Sequence, residues 1–538
     1  MHSTLIKKSL IPLLFILLTL IGVFTIRDYG APYDEITEMI ILGSAVKEYA
    51  LTLDGEDSTN YYSNMNVQRM RDNIEKDHGI CAYYPLVPFF KQMEGNSRFA
   101  SGIWSLLTWL WFMVGCLSLY GFLREIGLKK WVALSGMLML YLHPRFFAEG
   151  HYNNKDVVLL CLFLLTLFLG ARLFSKVTFP RGILFAFAGA MATNTKIVGA
   201  LPFGLIGIAL VVYLFVTKKW EKKIIWVAII TALSYFTFYF FLTPGFWSDP
   251  LGFITYLIDN ATGFTRFGGT VIFRGAEFYD VAQTTPLPWY YIPFNILVTT
   301  PLYTLLLAII GQLLVIWKAI RSKWKTSTPY LWMVASITYL LPITFSLIDT
   351  PLLYNGWRHF YFVYAGIVII ASIGLDFLVE FAQAKRNLRW LPAVAIVACF
   401  TFTSVGLIQN RYYQFAYFNP LIPRDAKHYM DMDYWNVGAS GAYQELYALN
   451  SDEEELRVGC YFNDIKIGAF KIPQPVYEKI VPTVNRDEDY LYYGSTYAYI
   501  YKAKEPPEGY SVLFPIKSYG NTIGTVYKKN KQMGISKN

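Results

Sequence analysis

The chain has 538 residues, of which 54% are hydrophobic, 18% aromatic and only 16% charged, and its mean hydropathy is +0.34. Soluble domains carry about 25% charged residues, so a single soluble globule is excluded, and five cysteines cannot build a disulfide framework. The formal charge of +9 lies in short basic runs between apolar stretches, the layout of a multi-spanning membrane protein and not of a nucleic-acid binder.

A helix that crosses a bilayer needs about 20 mostly apolar residues, and about eleven runs approach this. They lie near 9–26, 99–123, 131–142, 157–175, 181–195, 197–217, 224–243, 291–317, 329–348, 359–381 and 390–409. The runs 131–142 and 181–195 are short and read as tilted spans. The run 9–26 is long for a secretory signal and no A-x-A-like cleavage site follows it, so it reads as a retained span. Basic residues fill every second loop: Lys7 and Lys8, Arg124 to Lys130, Arg172 to Arg181, Lys218 to Lys223, Lys318 to Lys325, and Lys385 to Arg389. Positive charge marks the inner side, which predicts a cytoplasmic N-terminus in the plasma (inner) membrane.

Three pieces then face outward: the loop 27–98, the loop 244–290 and the tail 410–538. The tail is long enough for a small domain, with β-prone stretches at Tyr490–Tyr493 and Thr496–Tyr501 and turn signals at Pro506-Pro507 and Gly520-Asn521. The expectation is an α-helical polytopic membrane domain over 1–409 and an outward mixed α/β domain over 410–538.

Ionisable groups close to a bilayer point to function, and the outer loops hold several clusters. Asp34 and Glu35 follow span one and open a segment in which Ile36, Met39, Ile40, Gly43 and Val46 recur at helical spacing. This predicts an amphipathic helix on the outer membrane surface. Asp34 sits where it would cap that helix or serve as a general base. The segment 143–156 contains His143, Arg145, Glu149, His151, Asn153, Lys155 and Asp156. His143, Glu149, His151 and Asp156 are metal-ligand types, but their spacing matches no sharp metal motif. Positioning a polar head group, orienting Asp34, or Asp156 capping the next helix fits better. Lys196 ends span five, where a snorkelling lysine is the plain alternative. Arg358 and His359, beside Tyr354 and Trp357, open span ten. Two cations at a helix N-terminus suit a phosphate; an interfacial anchor is the plain alternative. Together, acids and cations at the lipid boundary suit a substrate that is half lipid and half phosphate, such as a polyprenyl-phosphate sugar.

Through Asp34-Glu35, the segment His143–Asp156, Thr195-Lys196 and Arg358-His359, the chain resembles the membrane-embedded GT-C glycosyltransferases. The branch is that of the protein O-mannosyltransferases and aminoarabinose transferases (glycosyltransferase family 39-like). The segments Leu287–Tyr291 and Asp433-Tyr434-Trp435 add to the resemblance, which spans the membrane portion. It implies a polyprenyl-phosphate donor, inversion at the sugar's anomeric carbon, Asp34 as the catalytic carboxylate and action without a metal. Glu35 is then expected to orient the site or bind acceptor, and Lys196, Arg358 and His359 to hold the lipid phosphate. His143, Arg145, His151, Asn153, Lys155 and Asp156 are expected to border the donor. The acceptor, a protein, lipid or glycan, would enter from the outer side. A transporter or flippase of lipid-linked sugars is the competing class. Such proteins often show paired halves with broken helices, a symmetry absent from this sequence.

Overall fold

The computed structural model describes residues 2–263, 269–279, 286–348, 353, 355–422, 426–460, 468–483 and 488–530. Among them, nine helices are long and apolar enough to cross a membrane: Leu10–Asp28, Ser97–Glu125, Asp156–Ser175, Ile197–Thr217, Lys222–Leu242, Leu302–Arg321, Thr328–Ile348, Arg358–Gln383 and Leu391–Gln409. Helices Lys130–Tyr141 and Phe179–Thr195, 12 and 17 residues long, occupy the two short runs. The protein is thus a helical integral membrane protein. The run expected over 291–317 is divided into Tyr291–Thr299 and Leu302–Arg321. Pro301 causes the break: it lacks an N–H and forces Thr300 into an extended conformation.

The helices Asp156–Ser175 and Arg358–Gln383 are the most enclosed of the nine. Close backbone approach helps to enclose the second. A Cβ added at Gly311 or Gly374 would collide with the carbonyls of Ile370 or Leu307 on the facing helix, a small-residue contact of the kind that joins membrane helices. Asp156 and Arg358 therefore stand at the first residues of two core-packed segments, and groups carried on rigid elements hold their geometry best.

The loop after helix α1 (His2–Thr25) forms helix α2 (Glu35–Asp54), but not as a simple surface helix with its acids in water. Glu35, Glu38 and Glu48 are buried, whereas Ile36 and Ile40 are about half exposed. Each acid meets a cation: Glu35 meets Lys471, Glu38 meets Lys155, and Glu48 meets Arg69 and Arg71. A buried carboxylate is tolerated only when so paired, so the charge pattern turns the acidic face inward.

The tail carries a five-stranded sheet of β3 (Leu456–Cys460), β4 (Ile480–Thr483), β5 (Tyr490–Gly494), β6 (Tyr510–Ser518) and β7 (Asn521–Lys529), in the order β4-β3-β5-β7-β6. β3 pairs parallel with β4 and β5, and the other neighbours are antiparallel. The Tyr490 stretch forms β5 and the turn signal at Gly520 closes the β6–β7 hairpin, with Tyr519 and Gly520 both at positive φ as a two-residue type I′ loop requires. The Thr496–Tyr501 stretch is not a strand but lies in helix Ser495–Ile500 and the turn after it. The pairing with β7 ends at Gly494–Gly524, and Thr496 instead accepts the backbone N–H groups of Met432 and Asp433.

The tail docks on the membrane part through defined contacts. Lys471 reaches Glu35 at 2.7 Å, with both side chains no more than 2% exposed. Arg98 donates to the carbonyls of Ala469 and Ile472, and Arg411 forks onto Asp28. Replacing Lys471 by alanine strands Glu35 as a buried, unpaired charge, a loss of about 3–5 kcal/mol. Lys129→Ala removes a half-exposed pair with Glu380 and costs no more than about 1 kcal/mol. Thermal unfolding in detergent should therefore show a large drop in midpoint for Lys471→Ala and little change for Lys129→Ala. Equal midpoints for the two variants would contradict this role for Lys471.

Candidate active site

Asp34 stands at the N-cap position of α2, yet its carboxylate accepts no capping hydrogen bond and its backbone is already helical, φ −70° and ψ −13°. The Glu35 N–H is satisfied by the Pro32 carbonyl. The capping expectation is thus corrected, and the side chain is available for other partners. Its Oδ2 accepts from the indole N–H of Trp435 at 2.9 Å and from Nη1 of Arg358 at 3.3 Å.

Arg358 follows a sharp turn in which Asn355 and Gly356 both have positive φ. Asn355 donates to Asp431, whose other oxygen accepts the Ile272 N–H of the short hairpin β1 (Thr270–Phe273) and β2 (Ala276–Tyr279). The buried Trp357 donates to Thr299. These anchors fix the turn, and Arg358 projects over the rings of Trp435 and Tyr434, with centroids 4.6 and 5.4 Å away, within cation–π range. Tyr354 lies outside the described residues.

Lys196 does not snorkel. Its ammonium meets Asp156 at 2.5 Å and the Nδ1 of His359 at 3.3 Å. Asp156 does not cap its own helix either: Asn153 accepts the Asp156 N–H and donates to Glu149, which also accepts from Tyr361. Burial pushes the Glu149 carboxyl up to about 7, against the pull of Arg145, Tyr361 and Asn153. Lys155 pairs with Glu38 and lies 3.2 Å from Nδ1 of His78. Burial pulls Lys155 down, but the charge and hydrogen bond of Glu38 and the charges of Glu75 and Asp34 together outweigh this and leave its pKa raised.

These groups border one cavity of about 190 Å³, lined by Asp34, Glu38, Glu75 and Asp156, by Lys155, Lys196 and Arg358, by His78 and His359, and by Asn153 and Trp435 among others. Exposure is graded across it: Asp34 is 44% exposed, Arg358 12% and Asp156 3%. One carboxylate thus stands at the open mouth of the cavity while the cations lie deeper. Each of the three cations holds a carboxylate, and an entering phosphate could exchange with these carboxylates for charge-assisted bonds.

Of the residues singled out from sequence, Asp34, Asn153, Lys155, Asp156, Lys196, Arg358 and His359 line this cavity. Four others do not. Glu35 is turned away onto Lys471 and Ser101. His143 accepts the Phe146 N–H and packs on Phe146 and Tyr364. His151 is stacked on Trp109 and Tyr29, with Nδ1 against the Phe147 carbonyl and Nε2 against the Thr25 hydroxyl. Arg145 is buried over Phe418 and donates to the Tyr417 carbonyl. The segment 143–151 thus turns His143, Arg145 and His151 into the aromatic core, and the four metal-ligand types of 143–156 do not converge. Among the described residues, such atoms cluster only at Glu75, Asp77 and His78, beside the Lys155 ammonium.

Sequence reasoning missed Glu38, Glu75, His78 and Lys471, and met Trp435 only through a resemblance. Glu38 lies one turn beyond Asp34, and the i,i+4 spacing that puts both on one face was the signal available. Trp435, 401 residues from Asp34, carries no local signal.

No curated protein matches the sequence. Among solved structures, the chain is similar to ArnT from Cupriavidus metallidurans bound to undecaprenyl phosphate, at 13% identity and a TM-score of 0.46, covering 96% of this chain and 98% of that one. It is similar to the same protein in the apo state at 14% identity and a TM-score of 0.46, covering 97% and 98%. A mutant of the arabinofuranosyltransferase AftD from mycobacteria gives 10% identity and a TM-score of 0.39, covering 96% of this chain and 41% of that one. Residues 82–240, a stretch that holds both Asp156 and Lys196, match the dolichyl-phosphate-mannose-protein mannosyltransferase family.

Proposed function

We propose that the protein is a glycosyltransferase that moves a sugar from a polyprenyl-phosphate donor to an acceptor at the outer face of the membrane, with inversion at the anomeric carbon. One observation carries the reading: Asp34 and Arg358 meet at 3.3 Å in a cavity that also takes in Lys196, His359 and Asp156. The match of residues 82–240 to a family of lipid-phosphate-sugar transferases supports it. In this reading the N-terminus is cytoplasmic, the membrane is the plasma (inner) membrane, residues 1–409 form the catalytic membrane domain, and residues 410–538 form an extracytoplasmic domain.

The acceptor hydroxyl or amine, on a protein, lipid or glycan, attacks the anomeric carbon from the water-facing side. Its proton passes to Asp34, which stands at the exposed end of the cavity. The bond from the anomeric carbon to the phosphate oxygen breaks, and the electron pair leaves with the polyprenyl phosphate. Arg358 and Lys196, with His359, take up that growing charge from a preset geometry, the arrangement that lowers a transition state most. Asp156 holds Lys196 in place. Glu35, turned away from this path, steadies α2 through Lys471.

Purified protein offered a panel of polyprenyl-phosphate sugars should release sugar from one of them. Asp34→Asn should abolish transfer while undecaprenyl phosphate still binds; transfer at the wild-type rate would remove Asp34 as the base. Arg358→Ala should weaken binding of undecaprenyl phosphate and slow turnover by about 10²–10³, the usual cost of one charge-stabilising donor. Unchanged binding and turnover would take Arg358 out of the site.

A further inference from the structure

Trp435 touches both halves of the proposed machinery. Its indole N–H donates to Asp34 Oδ2 at 2.9 Å, and its ring lies under the Arg358 guanidinium at 4.6 Å. It is itself only 9% exposed and is braced edge-on by Tyr152. The segment that carries it is tied down by Asp433, which accepts the backbone N–H groups of Val437 and Gly438. The indole is therefore a fixed donor in a fixed place.

The Asp34–Arg358 contact is unusually slack. An arginine facing a carboxylate favours two parallel bonds of about 2.7–2.9 Å. Here one nitrogen meets one oxygen at 3.3 Å, and that oxygen is the one that Trp435 holds. An indole N–H is a donor only and does not titrate, so it restrains the carboxylate without competing for the phosphate's charge.

We infer that Trp435 is a positioning residue: its indole N–H holds Asp34 short of a full two-oxygen pairing with Arg358, so that Arg358 can exchange this carboxylate for the donor's phosphate. The inference rests on the proposed function and assigns the tail a part in building the site. Without the N–H, Asp34 closes on Arg358 and competes with the phosphate.

The test is the affinity for undecaprenyl phosphate of the full-length protein in detergent, in variants that separate the donor from the ring. Trp435→Phe, which keeps a ring but loses the N–H, should weaken binding about tenfold, about 1.4 kcal/mol. Trp435→His, which keeps both, should bind within about twofold of wild type, a small part of that energy. In an Asp34→Asn background, Trp435→Phe should have no further effect, because the competing charge is gone. Wild-type affinity in Trp435→Phe, the same loss in Trp435→His, or an undiminished loss in the Asp34→Asn background would each overturn the inference. Failure of the underlying reading looks different: wild-type transfer by Asp34→Asn, or undiminished binding by Arg358→Ala, would remove the site itself.

Discussion

The site depends on a pairing between residues 324 positions apart: the Asp34 carboxylate, just past the first membrane helix, and the Arg358 guanidinium, at the head of another. Neither is placed by its own neighbours alone. Asp34 is positioned by the start of α2, and α2 is held by buried acids that each find a cation elsewhere in the chain. Arg358 is positioned by a strained turn pinned through Asn355, Asp431 and Trp357. Charges this close to lipid persist only when paired. The pairing requirement therefore selects the arrangement of the loops that border the cavity.

The gradient of exposure gives the cavity a direction. Asp34 is the most exposed of the carboxylates paired at the cavity, and the cations that pair with them lie deeper, on segments packed against one another. The tail closes the arrangement, through Trp435 at the site and Lys471 behind it. It is thus built into one end of the helical part, and the buried Lys471–Glu35 pair couples its docking to the orientation of α2.

Much of this was legible in the sequence. Apolar run lengths located nine membrane helices because burial in lipid leaves a backbone few choices; the two short runs read as tilted spans form helices of only 12 and 17 residues, and the run misread over 291–317 carried its own correction in Pro301. Charged residues in polar gaps between runs picked out Asp34, Asp156, Lys196 and Arg358, since such groups seldom stand there idle. Direction was not legible. His143, Arg145, His151 and Glu35 have suitable chemistry beside the residues that line the cavity but face the core or the tail, and residue type and spacing do not reveal which way a side chain turns. The alternation over Thr496–Tyr501 fitted a strand, but pairing partners decide strands, and none continues past Gly494. Trp435 could be found only once the tail was folded back onto the first loop.

The most direct measurement is a cryo-EM structure of the protein in lipid nanodiscs with undecaprenyl phosphate bound. The account predicts phosphate density within about 3 Å of the Arg358 guanidinium and the Lys196 ammonium, with Asp34 released from Arg358 and still held by Trp435. A phosphate seated elsewhere, with Arg358 still paired to Asp34, would contradict it.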